Sequence, residues 1–210
     1  GGESEGIYLL DFDAETGRLD NPRLAATIEN PSFVALHPSE PRLYAVGATT
    51  GEDGERRDSV TAFSIDAATG LLTQINRESS MGRGPCHVTV HPAGRYAAVA
   101  NYGGGSIAAL PILEDGSLGE ASAFVQHEGS SVHRRQQQAH AHSVNFDEAG
   151  RFLFAADLGI DKIMIYRFDA SNGTLEPNEP PHAGLAPGAG PRHFAFHPSG
   201  NYAYAINELD

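Results

Sequence analysis

The 210-residue sequence contains one cysteine, Cys86, and no tryptophan. A single cysteine excludes an internal disulfide framework and fits a reducing compartment. Cationic side chains are scarce: 14 Lys and Arg stand against 27 Asp and Glu, for a formal net charge of -13. A phosphate backbone needs a basic face, so general nucleic-acid binding is excluded, whereas a local basic pocket for a small anion is not. No apolar run approaches the roughly 20 residues of a membrane helix, which argues against a membrane partner. Hydrophobic residues make up 40% of the chain, enough for a packed core and too many for a disordered polymer. What is abundant is glycine, 24 residues, with 13 prolines. That composition cuts the chain into short elements and disfavours long helices.

An internal repeat organises those elements. Pro31-Ser-Phe-Val-Ala-Leu-His-Pro38 resembles Pro85-Cys-His-Val-Thr-Val-His-Pro92 and Pro191-Arg-His-Phe-Ala-Phe-His-Pro198, and Ala141-His-Ser-Val-Asn-Phe-Asp-Glu148 is a degenerate copy. The anchors His37, His91, Asp147 and His197 lie 54, 56 and 50 positions apart. Each copy continues into a second apolar run, at 42–46, 95–100, 151–156 and 201–206. A third follows at 60–66, 107–113 and 163–169, with its earliest copy at 7–13. Turns at Gly17, Gly70, Gly116 and Gly173 then signal hairpins into a weaker, more polar fourth run. Four short strands in about fifty residues is the pattern of a propeller blade. A β-sandwich also spaces short strands regularly, but the aligned copies favour the propeller. The expected fold is all-β, a β-propeller of four-stranded antiparallel blades with strands A to D running from axis to rim. The chain opens on strand C of one blade and stops after strand B of another. Residues 1–210 therefore read as a single partial domain. A propeller hides its end edges by closing on itself, so this arc alone is expected to expose two raw sheet faces and to associate.

A repeat position that varies chemically at one geometric spot is where function can be grafted. Five residues before the anchors stand Ser32, Cys86, His142 and Arg192, followed by Phe33, His87, Ser143 and His193. Strand B returns to the same end with Gly47-Ala48, Asn101-Tyr102, Asp157-Leu158 and Asn207-Glu208. His142, Arg192, Glu208, Asn101 and Tyr102 are thus expected at one mouth of the central channel. The longest loops, 47–59, 127–141 and 182–192, should decorate that mouth and ring it with Arg56, Arg57, Arg134, Arg135 and Lys162, a funnel for a small anion. Histidine can take a proton from water near neutrality. Arginine offers a fixed fork of donors to a carboxylate, phosphate or oxyanion. Glutamate can orient either group or shuttle a proton. The structural alternatives are an Arg192–Glu208 ion pair tying strand A to strand B, and a satisfied polar residue at His142.

Other signals are weaker. His140 and His142 face one side of a strand, with His133 near, but no carboxylate or cysteine completes a metal-ligand spacing. The recurring His-Pro pairs read as structural caps at the end of strand A. The Gly-rich stretch 101–106 lacks the helix and lysine of a P-loop and reads as a substrate-facing loop. Cys86 has no partner base beyond adjacent His87.

The chain resembles the lactonase family of seven-bladed β-propellers. The matching stretches are 88–96 with Asn101-Tyr-Gly-Gly-Gly-Ser106, His140-Ala-His-Ser143, Phe152-Leu-Phe-Ala-Ala-Asp-Leu158, Asp161-Lys-Ile163, and Gly188-Ala-Gly-Pro-Arg-His-Phe194 through 202–209. The resemblance implies that about four of seven blades are present, with strands expected before residue 1 and about two and a half blades after residue 210. Carried over by motif, the family's active residues fall on His142, Arg192 and Glu208, and a further arginine is expected in a later blade. His142 would draw a proton from water, Arg192 would stabilise the oxyanion, and Glu208 would position them or protonate the leaving oxygen. Substrate contacts are expected from Asn101, Tyr102, His140, His193, Lys162 and Arg134. The implied reaction is hydrolysis of 6-phosphogluconolactone to 6-phosphogluconate in the pentose phosphate pathway, in the cytoplasm, with no cofactor and no metal. The implied partner is a small anionic sugar lactone. Alternatives are a non-catalytic interaction platform, a hydrolase of a related sugar lactone, and a muconate-lactonising cycloisomerase.

Overall fold

The computed structural model describes residues 4–51 and 53–209. Among them the regular elements are all strands, and none is a helix that could cross a membrane. β1 (Gly6–Phe12) pairs with β2 (Leu19–Thr27). Three four-stranded antiparallel sheets follow. The first is β3 (Pro31–Leu36), β4 (Arg42–Thr50), β5 (Arg56–Ile65) and β6 (Leu72–Ser79). The second is β7 (Pro85–Val90), β8 (Tyr96–Asn101), β9 (Ser106–Pro111) and β10 (Ala123–Gln126). The third is β11 (Ala141–Phe146), β12 (Phe152–Asp157), β13 (Lys162–Asp169) and β14 (Thr174–Gly184). β15 (Pro191–Phe196) and β16 (Ala203–Asn207) close the series. Each sheet is a blade read in chain order, and the first strands β3, β7, β11 and β15 pack against one another in succession.

The apolar runs read as continuous because both faces of the middle strands are buried. Side chains alternate along a strand, so each blade serves two neighbours. Tyr44, Val46, Val60 and Ala62 pack forward onto Val88, Val99, Ala108 and Leu110. Leu43, Ala45 and Phe63 pack backward towards Ile7, Ala26 and Ile28. On the two outermost sheets the apolar side chains are bare: Tyr8, Leu10, Phe12 and Leu19 are exposed on β1–β2, and Tyr204 and Ile206 on β16.

The His-Pro anchors do more than cap. His37 Nδ1 accepts the Glu40 N–H at 3.0 Å, which leaves Nε2 to donate to the Gly94 carbonyl of the next blade at 3.0 Å. His91 repeats this with Ala93 and with Gly150 of the third blade, both at 3.0 Å. Each imidazole therefore bolts one blade to the next. A Cβ at Gly94 or Gly150 would fall 2.3 or 2.2 Å from that Nε2, so only glycine fits. In the third blade Asp147 keeps to its own turn, accepting the Phe152 N–H.

Two of the expected loops are corrected. Residues 47–59 are mostly paired strand: β4 and β5 stay in register out to Thr50 and Arg56. β14 likewise runs on to Gly184. The tip of the β4–β5 hairpin projects past the core with no face to bury, so its sequence carries no apolar alternation to read.

Candidate active site

Each innermost strand carries a register shift at the same point: between Pro31 and Phe33, Pro85 and His87, Ala141 and Ser143, and Pro191 and His193. A β-bulge inserts one residue and re-aims its side chain. The inserted residues are Ser32, Cys86, His142 and Arg192, the positions where the repeat changes chemistry. In two blades the bulge residue is a staple. The Ser32 hydroxyl lies 2.8 Å from the Pro85 carbonyl oxygen, and the Cys86 sulfur lies 3.3 Å from that of His142. Each reaches the start of the next blade. In the following two blades His142 and Arg192 occupy the bulge and line a cleft of about 520 Å³ at the start of the innermost strands.

Glu208, just past β16, gathers the cleft's ionisable groups. Its Oε2 accepts from Arg192 Nε at 2.8 Å and lies 3.5 Å from His142 Nε2. Its Oε1 accepts from Arg135 Nη2 at 2.5 Å, and the same nitrogen donates to the Tyr102 hydroxyl at 3.1 Å. The Tyr102 ring meets His142 edge-on at 5.3 Å between centroids and stacks on His140 at 4.5 Å. His193 packs against His142 at 5.5 Å and His87 at 5.8 Å. Two guanidiniums against one carboxylate leave the cleft a positive excess on an acidic protein, which favours an anionic ligand.

Burial is the largest influence on His142 and pushes its imidazole below the ordinary histidine value; Arg192 adds to the effect and Glu208 opposes it. The ring is therefore neutral at pH 7, with Nδ1 buried and Nε2 facing Glu208. Burial pushes Glu208 upward, but Arg135, His142 and Arg192 together outweigh it and hold the carboxyl below the ordinary range. Glu208 is thus ionised near neutrality, which suits positioning Arg192 and His142. Burial pushes the Cys86 thiol up to about 12, so it is no nucleophile.

The family model described as "Lactonase, 7-bladed beta-propeller" matches residues 1–210. The chain belongs to the lactonase family. A 6-phosphogluconolactonase of Bacillus subtilis is 39% identical to it over 208 residues, covering 99% of this chain and 57% of that protein. A 6-phosphogluconolactonase of Formosa agariphila is 33% identical over 97% of this chain and 58% of that one. The structure of a periplasmic gluconolactonase from Pseudomonas aeruginosa superposes with a TM-score of 0.89 at 34% identity, over 99% of this chain and 59% of its own. The chain thus spans less than two thirds of these relatives' length.

In this lactonase-family chain His142, Arg192, Glu208, Tyr102 and His193 all line the cleft. The other expected site residues do not. Asn101 is fully buried, and its Nδ2 donates to the Ser80 carbonyl at 2.9 Å and the Ser106 hydroxyl at 3.2 Å. It ties down the linker into β7. Asp157, at the equivalent position, does the same for the next linker through His127 Nδ1 at 2.6 Å. The polar identity at the end of strand B is therefore structural. His140 stands behind Tyr102, with Nδ1 2.9 Å from its carbonyl oxygen. Lys162 lies on β13, two strands out from the channel. Arg134 does not line the cleft, whereas adjacent Arg135 does. Arg56 and Arg57 are paired with Asp58 and Asp53. Among the described residues no group of three or more His, Cys, Asp or Glu is arranged to hold a metal. Nothing in the sequence selects Arg135 over Arg134. The choice is made by Gln136, whose buried side chain fixes the loop by donating to the Leu158 carbonyl at 2.8 Å.

Proposed function

We propose that the protein hydrolyses a sugar lactone, with 6-phosphogluconolactone as substrate, and that residues 1–210 form part of the single propeller domain that does so. The observation that carries the proposal is the meeting at Glu208 of a half-buried neutral imidazole and two guanidiniums in one cleft. The Bacillus subtilis and Formosa agariphila relatives, both 6-phosphogluconolactonases, support the phosphorylated substrate.

In the proposed reaction His142 Nε2 accepts a proton from water as the water oxygen attacks the lactone carbonyl carbon. The carbonyl π pair moves onto oxygen, where the Arg192 guanidinium stabilises the charge. Collapse of the tetrahedral intermediate breaks the ring C–O bond, and the proton on His142 passes to the departing alkoxide. Glu208 stays ionised throughout, fixes Arg192 and offsets the transient imidazolium 3.5 Å away. Arg135, also bound to Glu208, is placed to meet the phosphate.

A phosphorylated substrate and a lone cysteine suit the cytoplasm. The periplasmic gluconolactonase neighbour supports a second reading, hydrolysis of an unphosphorylated gluconolactone. The test is proton release by the full-length protein on each lactone, corrected for spontaneous ring opening. The expected result is a kcat/KM roughly 100-fold higher on the phosphorylated substrate, the worth of two charge-assisted contacts. Preference for the unphosphorylated lactone supports the second reading. No rate above background on either lactone leaves the interaction platform.

A further inference from the structure

We infer that Asp161 is a positioning residue of this site: one buried carboxylate fixes both loops that deliver the arginines to Glu208. The inference rests on the lactonase reading of the Glu208 cleft.

Asp161 sits in the turn between β12 and β13 and is 5% exposed. Its Oδ1 accepts from Gln136 Nε2 at 2.6 Å and from the Gly190 N–H at 2.7 Å. Its Oδ2 accepts the Gly188 N–H at 2.8 Å. Gln136 directly follows Arg135. Gly190 leads through Pro191 into Arg192, and its carbonyl accepts the Glu208 N–H at 2.9 Å. Arg135, Arg192 and Glu208 are therefore all tied, within two residues or one further hydrogen bond, to the same carboxylate. Asp161 does not itself line the cleft.

The chemistry of the contact explains why the residue is an aspartate. Every group facing it is a donor, and an ionised carboxylate only accepts. Burial opposes its ionisation, but the Ser131 hydroxyl, Gly190, Gly188 and Gln136 outweigh that and hold the carboxyl below the ordinary range. Its backbone is left-handed, φ +54°, a region that Asp and Asn both tolerate. Asp161→Asn therefore keeps size and backbone while turning an NH₂ group towards donors. Precise placement of reacting groups is what such a change disturbs, since displacement by an ångström costs on the order of 100-fold in rate.

The experiment compares full-length wild type, Asp161→Asn and Glu208→Gln. Asp161→Asn is expected to lower kcat/KM roughly 10- to 100-fold. It is also expected to speed trypsin cleavage after Arg134 and Arg135, because the loop loses its pin. The acid limb of its pH profile should move to higher pH. His142 is faced by Arg192 and His193 from β15, His87 from β7, Tyr102 after β8 and Glu208 after β16; loosening Arg192 removes a charge that holds the imidazole neutral. Unchanged kcat/KM and an unshifted limb overturn the inference, even if cleavage quickens, because the anchor is then structural only. Should Asp161→Asn fail to fold, Gln136→Met, which releases the Arg135 loop alone, must show the same faster cleavage and a loss of rate; wild-type behaviour there overturns the inference. Full activity of Glu208→Gln instead removes the Glu208 cleft as the place of hydrolysis, a result separate from the cleavage assay, which still decides whether Asp161 anchors the loop.

Discussion

His142→Ala in the full-length protein is expected to lower kcat/KM for lactone hydrolysis by roughly 100- to 10,000-fold, the range of a positioned general base. The expectation follows from the bulge in β11. In the two preceding blades the same insertion presents a staple, Ser32 or Cys86, bonded to backbone of the next blade. Among the described residues His142 makes no such bond: its Nδ1 is buried without a hydrogen-bond partner, and its Nε2 faces the Glu208 carboxylate. A residue kept only for structure would repeat the staple. Arg192→Ala should fall by roughly 100- to 1,000-fold, as for loss of an oxyanion donor. Arg192→Lys should not restore it, because a lysine lacks the planar fork that holds Glu208 and the oxyanion together. Initial rates on 6-phosphogluconolactone check both. A loss under about threefold in either variant, less than roughly 1 kcal/mol, contradicts the assignment.

The pH profile of kcat/KM should rise through an acid limb centred below 6.5, the ordinary histidine value. The sign follows from the protonation state required. A base works only when deprotonated, so burial, which favours the neutral ring, extends activity to lower pH. Two charges then tune the limb in opposite directions. Arg192 disfavours the imidazolium, so Arg192→Gln should move the limb to higher pH. Glu208 favours it, so Glu208→Gln should move the limb to lower pH even though the plateau rate falls. Rate–pH profiles of the two variants decide the point: shifts in the same direction, or no limb near His142 at all, contradict a base at this position. Structural damage alone gives no reason for opposite signs.

The blade repeat was legible because every blade must solve the same packing problem. Tyr44 and Leu43 show it: adjacent residues on β4 go to different neighbouring blades, so the run stays apolar throughout. The variable position was legible too, as a break in the repeat at His142 and Arg192. Why that position matters was not. A bulge is a property of backbone register, and the Pro31 to Phe33 shift leaves no residue signature that Pro191 to His193 shares beyond the proline itself. Asn101 was misplaced because a polar residue at the end of strand B reads alike whether it faces a ligand or, as here, caps a buried linker. Arg135 and Asp161 lay out of reach for a related reason. Their roles depend on contacts 25 to 73 residues apart in sequence, which no local pattern encodes.

The most direct measurement is a crystal structure of the full-length protein with 6-phosphogluconate, the product of the proposed reaction. Its carboxylate should lie between the β11 and β15 bulges, hydrogen-bonded to the Arg192 guanidinium and within reach of His142 Nε2, with the phosphate towards Arg135. Product bound elsewhere, for instance in the cleft lined by Arg56, Arg57, Arg77 and Arg83, with the Glu208 cluster untouched, would contradict it.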